Sequence, residues 1–196
     1  MDDTQRPKFR YDRGYLPHYD GGRIIQFGTF RLADSLPQKV IDRYALERER
    51  KLITEIEYHR KVDKFLDEGR GTAHLKNDAI ALCIVETLHK FAGEKYRLYS
   101  WVIMPNHVHV LFTPNKGYAL AEIMHSIKSF TAKYANRILG RSGRFWSPEY
   151  FDRFIRNEKH FDKAVAYIEN NPVKAGLCRS PEEWELSSAF FRSRGR

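Results

Sequence analysis

The stretch KYRLYSWVIMPNHVHVLFTP occupies residues 95–114. Two runs rich in β-branched and aromatic residues flank Pro105-Asn106, a pair favoured in tight turns, so the stretch predicts a β-hairpin. Its second arm opens with His107-Val108-His109. Side chains alternate across a strand, which puts both imidazoles on one face and Val108 on the other. Neighbouring imidazoles of that kind can hold one metal ion through neutral ring nitrogens.

Outward from the hairpin, GGRIIQFGTFRL (21–32) starts with a Gly-Gly turn signal and continues as a strand. In the next segment Val40, Ile41, Tyr44, Leu52, Ile56 and Leu66 recur at helical spacing, which predicts one long helix or two in tandem. Ser35 is its expected cap, Pro37 falls in the first turn, and Gly69 and Gly71 end it. NDAIALCIVETLHKFAG (77–93) predicts a helix capped by Asn77 and stopped by Gly93. LAEIMHSIKSFTAKYANRILG (120–140) predicts another, with Ile123, Ile127, Phe130, Tyr134 and Ile138 as its apolar stripe. PEYFDRFI (148–155) is an expected last strand, and NEKHFDKAVAYIENNPVKAG (157–176) starts with a capping residue, Asn157, and is an expected helix that stops before Pro172.

In order this is β, helices, β, β, α, β and a further helix. It predicts an α+β fold: a ferredoxin-like βαββαβ antiparallel sheet, both long helices on one face, the other face free to hold a site. Residues 38–72 are expected to be a helical insertion, and the last helix is an addition to the minimal unit. At 196 residues the chain is expected to form one domain, 1–196, with its core over about 22–190.

Hydrophobic residues make up 42% and charged residues 30%, an ordinary globular balance, and no apolar run approaches the roughly 20 residues of a membrane span. The start, MDDTQRPKFRYDRGY, has no apolar segment after its charges and does not read as a secretory signal, so a cytoplasmic location is expected. Cys83 and Cys178 stand alone, with no paired C-x-x-C, so neither a disulfide framework nor a zinc ribbon is indicated. Lys and Arg number 34 against 25 Asp and Glu; the net charge of +9 favours a polyanionic partner such as nucleic acid or an anionic membrane surface.

Tyr167 and Asn171 lie four apart in AYIENNP and share one helix face. If that face docks on the open side of the sheet, His107, His109 and Asn171 surround a divalent ion and Tyr167 stands beside it. Such a set suits phosphodiester chemistry: a metal offsets charge developing on the phosphate, and a tyrosine oxygen attacks. Ligand imidazoles must be unprotonated, so activity is expected to fall below about pH 6.

These residues carry a resemblance. WVIMPNHVHVLF together with FWSPEYFDRFIRNEKHFDKAVAYIENNPVKAGL and a W-x-x-S-S tail resembles the single-tyrosine HUH transposases, and among them the REP-associated tyrosine transposases. The resemblance implies a ferredoxin-like fold, His107 and His109 as ligands of Mg²⁺ or Mn²⁺, Asn171 as a third ligand and Tyr167 as nucleophile. It further implies a 5′-phosphotyrosine link to single-stranded DNA, rejoining of a second 3′-hydroxyl, and a hairpin beside a single strand as substrate. A homodimer is compatible with it, and so is a nucleoid-associated place in the cytoplasm.

Arg153, Arg156 and Lys174 near the tyrosine helix, with Lys128 and Lys133 on the preceding one, are candidate phosphate contacts, although each taken singly is more often a solvated charge. The same holds for the tail FFRSRGR. Phe145 and Trp146 suit core packing better than base stacking. Two other functional classes stay open. A non-catalytic nucleic-acid module on such a sheet would carry stacking aromatics where this chain has histidines. A metal-dependent hydrolase using water leaves the Tyr-Asn spacing unused.

Overall fold

The computed structural model describes residues 9–12, 17–20, 23–69 and 71–195. The Gly21-Gly22 turn signal, most of the N-terminal stretch and Arg196 of the basic tail lie outside the described residues. The elements are β1 (Phe9–Asp12), β2 (Pro17–Asp20), β3 (Gln26–Leu32), α1 (Gln38–Glu49), α2 (Glu55–Asp67), α3 (Asp78–Phe91), β4 (Tyr96–Ile103), β5 (His107–Pro114), α4 (Leu120–Ile138), β6 (Trp146–Phe154), α5 (Glu158–Lys174) and α6 (Ser188–Ser193), with short 3₁₀ turns at His74–Lys76 and Pro181–Glu183.

β3 to β6 form a four-stranded sheet in the order β4-β5-β3-β6, with every neighbouring pair antiparallel. Counted along these four strands the order is 2-3-1-4, the ferredoxin-like arrangement expected from the element order. β1 and β2, unforeseen in the sequence, pair as a separate two-stranded sheet.

The alternation of β5 decides what lies on each side. Val108, Val110 and Phe112 join Phe30, Leu32, Trp101 and Ile103 in a core closed by Ile80, Ile84 and Leu88 of α3 and by Ile123 and Ile127 of α4. Each such side chain withdrawn from water contributes roughly 1.5–3 kcal/mol. The stripe expected on α4 is rotated in the structure: Thr131 and Ala135 continue the buried line from Ile127, whereas Phe130 and Ile138 are exposed. Phe145 and Trp146 are buried in the same core, as packing residues.

The opposite face buries Phe27, Val102, Met104 and Leu111 against Ala164 and Ile168 of α5. Asn157 caps α5 by accepting from the His160 amide at 2.9 Å. The helix does not stop before Pro172 but runs on to Lys174. Proline deletes one N–H donor, yet the next turn closes through the Ala175 amide onto the Asn171 carbonyl at 3.0 Å, so only a single rung near the end is lost. Asn171 and Lys174 thereby stay on the helical line of Tyr167.

The W-x-x-S-S tail clamps this layer to the sheet edge. Trp184 donates to the Ile103 carbonyl at 3.0 Å, and Ser188 Oγ accepts from the Trp101 amide at 3.1 Å and donates to buried Glu169 of α5 at 2.8 Å. Arg192 pairs with the other Glu169 oxygen. α1 and α2 are two helices rather than one, separated at Lys51, whose φ is +57°, and restarted by a capping box between Thr54 and Glu57. Ser35 does not cap α1; its hydroxyl turns back to the Leu32 carbonyl at 2.8 Å.

Candidate active site

β5 is a central strand, so His107 and His109 emerge in the middle of the sheet face that α5 covers, and both are fully buried. Asn106 donates through its side-chain amide to the Leu66 carbonyl at 3.1 Å, which leaves its Oδ1 to accept from His107 Nδ1 at 2.7 Å. The His107 proton is therefore on Nδ1, and its Nε2 lone pair faces the second imidazole. On the other imidazole, Nδ1 is held 2.7 Å from Thr29 Oγ1 of β3. Both Nε2 atoms then converge, 3.1 Å apart.

Burial favours neutral rings: loss of hydration pushes His107 down to about 3 and His109 well below its usual value, the latter helped by the repulsion two protonated imidazoles would suffer side by side and by the charge of Lys174. Burial therefore opposes the imidazole protonation on which the expected acid limb near pH 6 rests. Asn171, one turn beyond Tyr167, brings its amide nitrogen to 3.4 Å from His109 Nε2, and its buried Oδ1 has no hydrogen-bond partner.

The Tyr167 ring lies edge-on to His109, 5.5 Å between centroids, and to Phe27 at 5.8 Å. Its hydroxyl donates to Asp63 Oδ2 at 2.7 Å. Loss of hydration and the Asp63 carboxylate both hold the phenol well above its ordinary pKa. Asp63 is itself raised to about 6, chiefly by loss of hydration and then by the charge of Asp67, while the Tyr167 bond, Lys174 and Arg153 act the other way. Asp67, one turn further along α2, sets Oδ1 3.9 Å from His107 Nε2 and Oδ2 3.7 Å from Lys174 Nζ.

Asp63 and Asp67 had no assigned role in the sequence because α2 carries no motif. The one available signal was their i, i+4 spacing, which puts two carboxylates on one helix face.

The basic candidates divide between the two sides of the sheet. Arg153 of β6 lies on the histidine face with its guanidinium 5.7 Å over the Phe27 ring, and Lys174 sits 5.7 Å over the Tyr167 ring. Arg156 is exposed just past the end of β6, over Phe154. Lys128 and Lys133 belong to α4, on the other side. Lys128 donates to the Pro148 carbonyl at 2.8 Å and is pushed down to about 8 by burial; Lys133 is exposed.

The residues fit a divalent ion in two respects. Adjacent corners of an octahedron with bonds of about 2.1 Å lie roughly 3.0 Å apart, close to the separation of the two Nε2 atoms. Two buried oxygens, Asn171 Oδ1 and Asp67 Oδ1, also lack hydrogen-bond partners beside them. Among the described residues no three His, Cys, Asp or Glu side chains are grouped to hold an ion by themselves, so an amide oxygen or a shift of a carboxylate has to complete the set.

The chain is similar to the REP-associated tyrosine transposase of Escherichia coli (strain K12), 29% identical over 102 residues; the matched stretch covers 52% of this chain and 58% of that relative. The fold is similar to that of a solved REP-associated tyrosine transposase bound to a REP hairpin, with a TM-score of 0.58, 21% identity and coverage of 95% of this chain and 85% of that one. No helix among the described residues is long and apolar enough to cross a membrane. The family model for IS200-like transposases matches residues 73–171, a span that holds the histidine pair, the tyrosine and the asparagine, and the chain belongs to that family.

Proposed function

We propose that the chain, acting as one catalytic domain, nicks and rejoins single-stranded DNA beside hairpins with Tyr167 as nucleophile. The observation that carries this is the Tyr167 hydroxyl bonded to a carboxylate at 2.7 Å, on the helix that also delivers Asn171 to the paired imidazoles. His107, His109 and Asn171 would hold Mg²⁺ or Mn²⁺, which when bound neutralises phosphate oxygens and favours attack at phosphorus. Hard oxygen and imidazole donors suit either ion.

The reaction needs the Tyr167 proton removed as the new bond forms. Asp63 is within reach to accept it, and the Tyr167 oxygen then bonds to phosphorus while the bond to the 3′-oxygen breaks; that oxygen leaves as a hydroxyl, its proton returned from Asp63 through water. The DNA 5′-phosphate stays on Tyr167. A second 3′-hydroxyl reverses the step and joins a new end without a nucleotide cofactor, because the phosphotyrosine retains the diester's energy. Incubation with hairpin DNA and Mn²⁺ tests this reading: a covalent protein–DNA species on a denaturing gel is expected, and nicked product with no adduct at any time would favour the water-using hydrolase.

Two expectations arise directly from the geometry. Asp63 must be ionised to accept the proton, and its carboxyl is raised to about 6, so adduct formation should climb as pH rises through about 6. Asp63→Asn keeps the shape and removes the base. It should slow adduct formation roughly 10²- to 10⁴-fold and erase that limb in rate–pH measurements; an unchanged limb would assign it elsewhere.

DNA is expected to run along the histidine face. Arg156→Ala should lower the slope of log affinity against log salt by about 0.7 for single strands, the share of one neutralised phosphate. Lys128→Ala should leave that slope alone, since its ammonium is engaged by Pro148 behind the sheet. Equal slopes for both variants and the unaltered protein would move the phosphate path to another surface.

A further inference from the structure

Beyond the three residues named as ligands, one buried group aimed at the imidazole pair has no assigned role. Asp67 closes α2, and its side chain is 11% exposed. Its Oδ1 is buried, has no hydrogen-bond partner and lies 3.9 Å from His107 Nε2, one of the two converging imidazole nitrogens. Leaving a carboxylate oxygen dry and unpaired is costly, and a cation on that side offsets the cost. The ammonium of Lys174 serves only the other oxygen, at 3.7 Å, from a side chain that is 63% exposed.

We propose that Asp67 is a further ligand of the divalent ion held by His107 and His109, so that the metal site is completed by the helix inserted ahead of the family-matched residues 73–171. This rests on the metal site of the proposed function. At 3.9 Å the two atoms lie within the roughly 4.2 Å that two ligands of one ion with bonds of about 2.1 Å can span, and a small shift of the carboxylate brings them to the roughly 3.0 Å of adjacent positions. A carboxylate is also the donor lacking from the other three. Two imidazoles and an amide carry no charge, whereas Mg²⁺ and Mn²⁺ favour anionic oxygen. Asp67 supplies one negative charge at a point where the neutral rings cannot.

The consequence reaches past affinity. α2 presents Asp63 to the Tyr167 hydroxyl and Asp67 to the histidines from adjacent turns, so metal binding through Asp67 would seat the helix that positions the proton acceptor. The inserted segment then belongs to the catalytic site, independently of any part it plays in recognising DNA.

Mn²⁺ binding by calorimetry on the full chain without DNA tests this directly. Asp67→Asn, nearly isosteric, should weaken Mn²⁺ at least tenfold. Lys174→Met, which removes the cation competing for the same carboxylate, should tighten it. His107→Ala/His109→Ala should abolish binding. If Asp67→Asn and Lys174→Met both bind Mn²⁺ like the unaltered protein while the double histidine variant does not, the metal site stands and Asp67 is only a partner for Lys174. If the double histidine variant binds normally, the metal site itself is elsewhere and the proposal falls with it. Loss of binding by Asp67→Asn with an unchanged melting temperature supports ligation; loss accompanied by unfolding leaves Lys174→Met to decide, and no tightening there overturns it.

Discussion

Tyr167→Phe should bind hairpin DNA with nearly unchanged affinity and form no covalent adduct. The substitution removes one oxygen, and with it the only atom proposed to bond to phosphorus; losing a nucleophile of this kind costs on the order of 10³-fold or more. The ring contacts with Phe27 and His109 remain, since they involve carbon atoms that phenylalanine keeps. Asp63 loses its hydroxyl partner at 2.7 Å, so a stability cost of about 1–3 kcal/mol is expected and should appear as a lower melting temperature. A denaturing gel measures adduct, and a melting curve confirms that the variant is folded. Robust nicking by folded Tyr167→Phe would remove tyrosine from the mechanism.

The double variant His107→Ala/His109→Ala is expected to lose metal-dependent nicking to background and Mn²⁺ affinity by more than about 100-fold. Both rings contribute, because their Nε2 atoms converge on one point 3.1 Å apart and neither alone encloses an ion. Excess Mn²⁺ should restore part of the activity of a single variant and none of the double. The two rings are already neutral, so Mn²⁺ affinity of the unaltered protein measured by titration should be flat between pH 6 and 8. A fall of several-fold on reaching pH 6 would mean that a ligand takes up a proton there, either an imidazole near its ordinary pKa of about 6.5 or the Asp67 carboxyl, which loss of hydration raises. Thr29→Val and Asn106→Ala would then be the variants to compare, since those side chains hold the two Nδ1 atoms.

Much of the scaffold is local and was legible for that reason. The Pro105-Asn106 turn, the alternation along β5 and the caps at Asn77 and Asn157 each depend on a few consecutive residues, and the structure realises all of them. The same is true of the i, i+4 pairing of Tyr167 with Asn171. Where local rules competed with packing, packing prevailed: α5 continues through Pro172 because the helix is buried on the sheet through Ala164 and Ile168, which outweighs one missing rung.

The sequence by itself determined that two imidazoles share a strand face, that a tyrosine and an amide share a helix face, and that the strands fall in ferredoxin-like order. Those are consequences of periodicity, which needs no knowledge of distant residues. Only the tertiary structure decided which groups meet those faces. Asp63 and Asp67 reach Tyr167 and His107 across 104 and 40 positions of chain, the first of these through a bond of 2.7 Å. It also decided that Lys128 and Lys133 lie behind the sheet and that Trp184 and Ser188 tie the tyrosine helix to β4. No short-range pattern encodes such meetings, because they are set by how whole helices settle on the sheet, and that depends on the sum of many buried contacts rather than on any residue's neighbours.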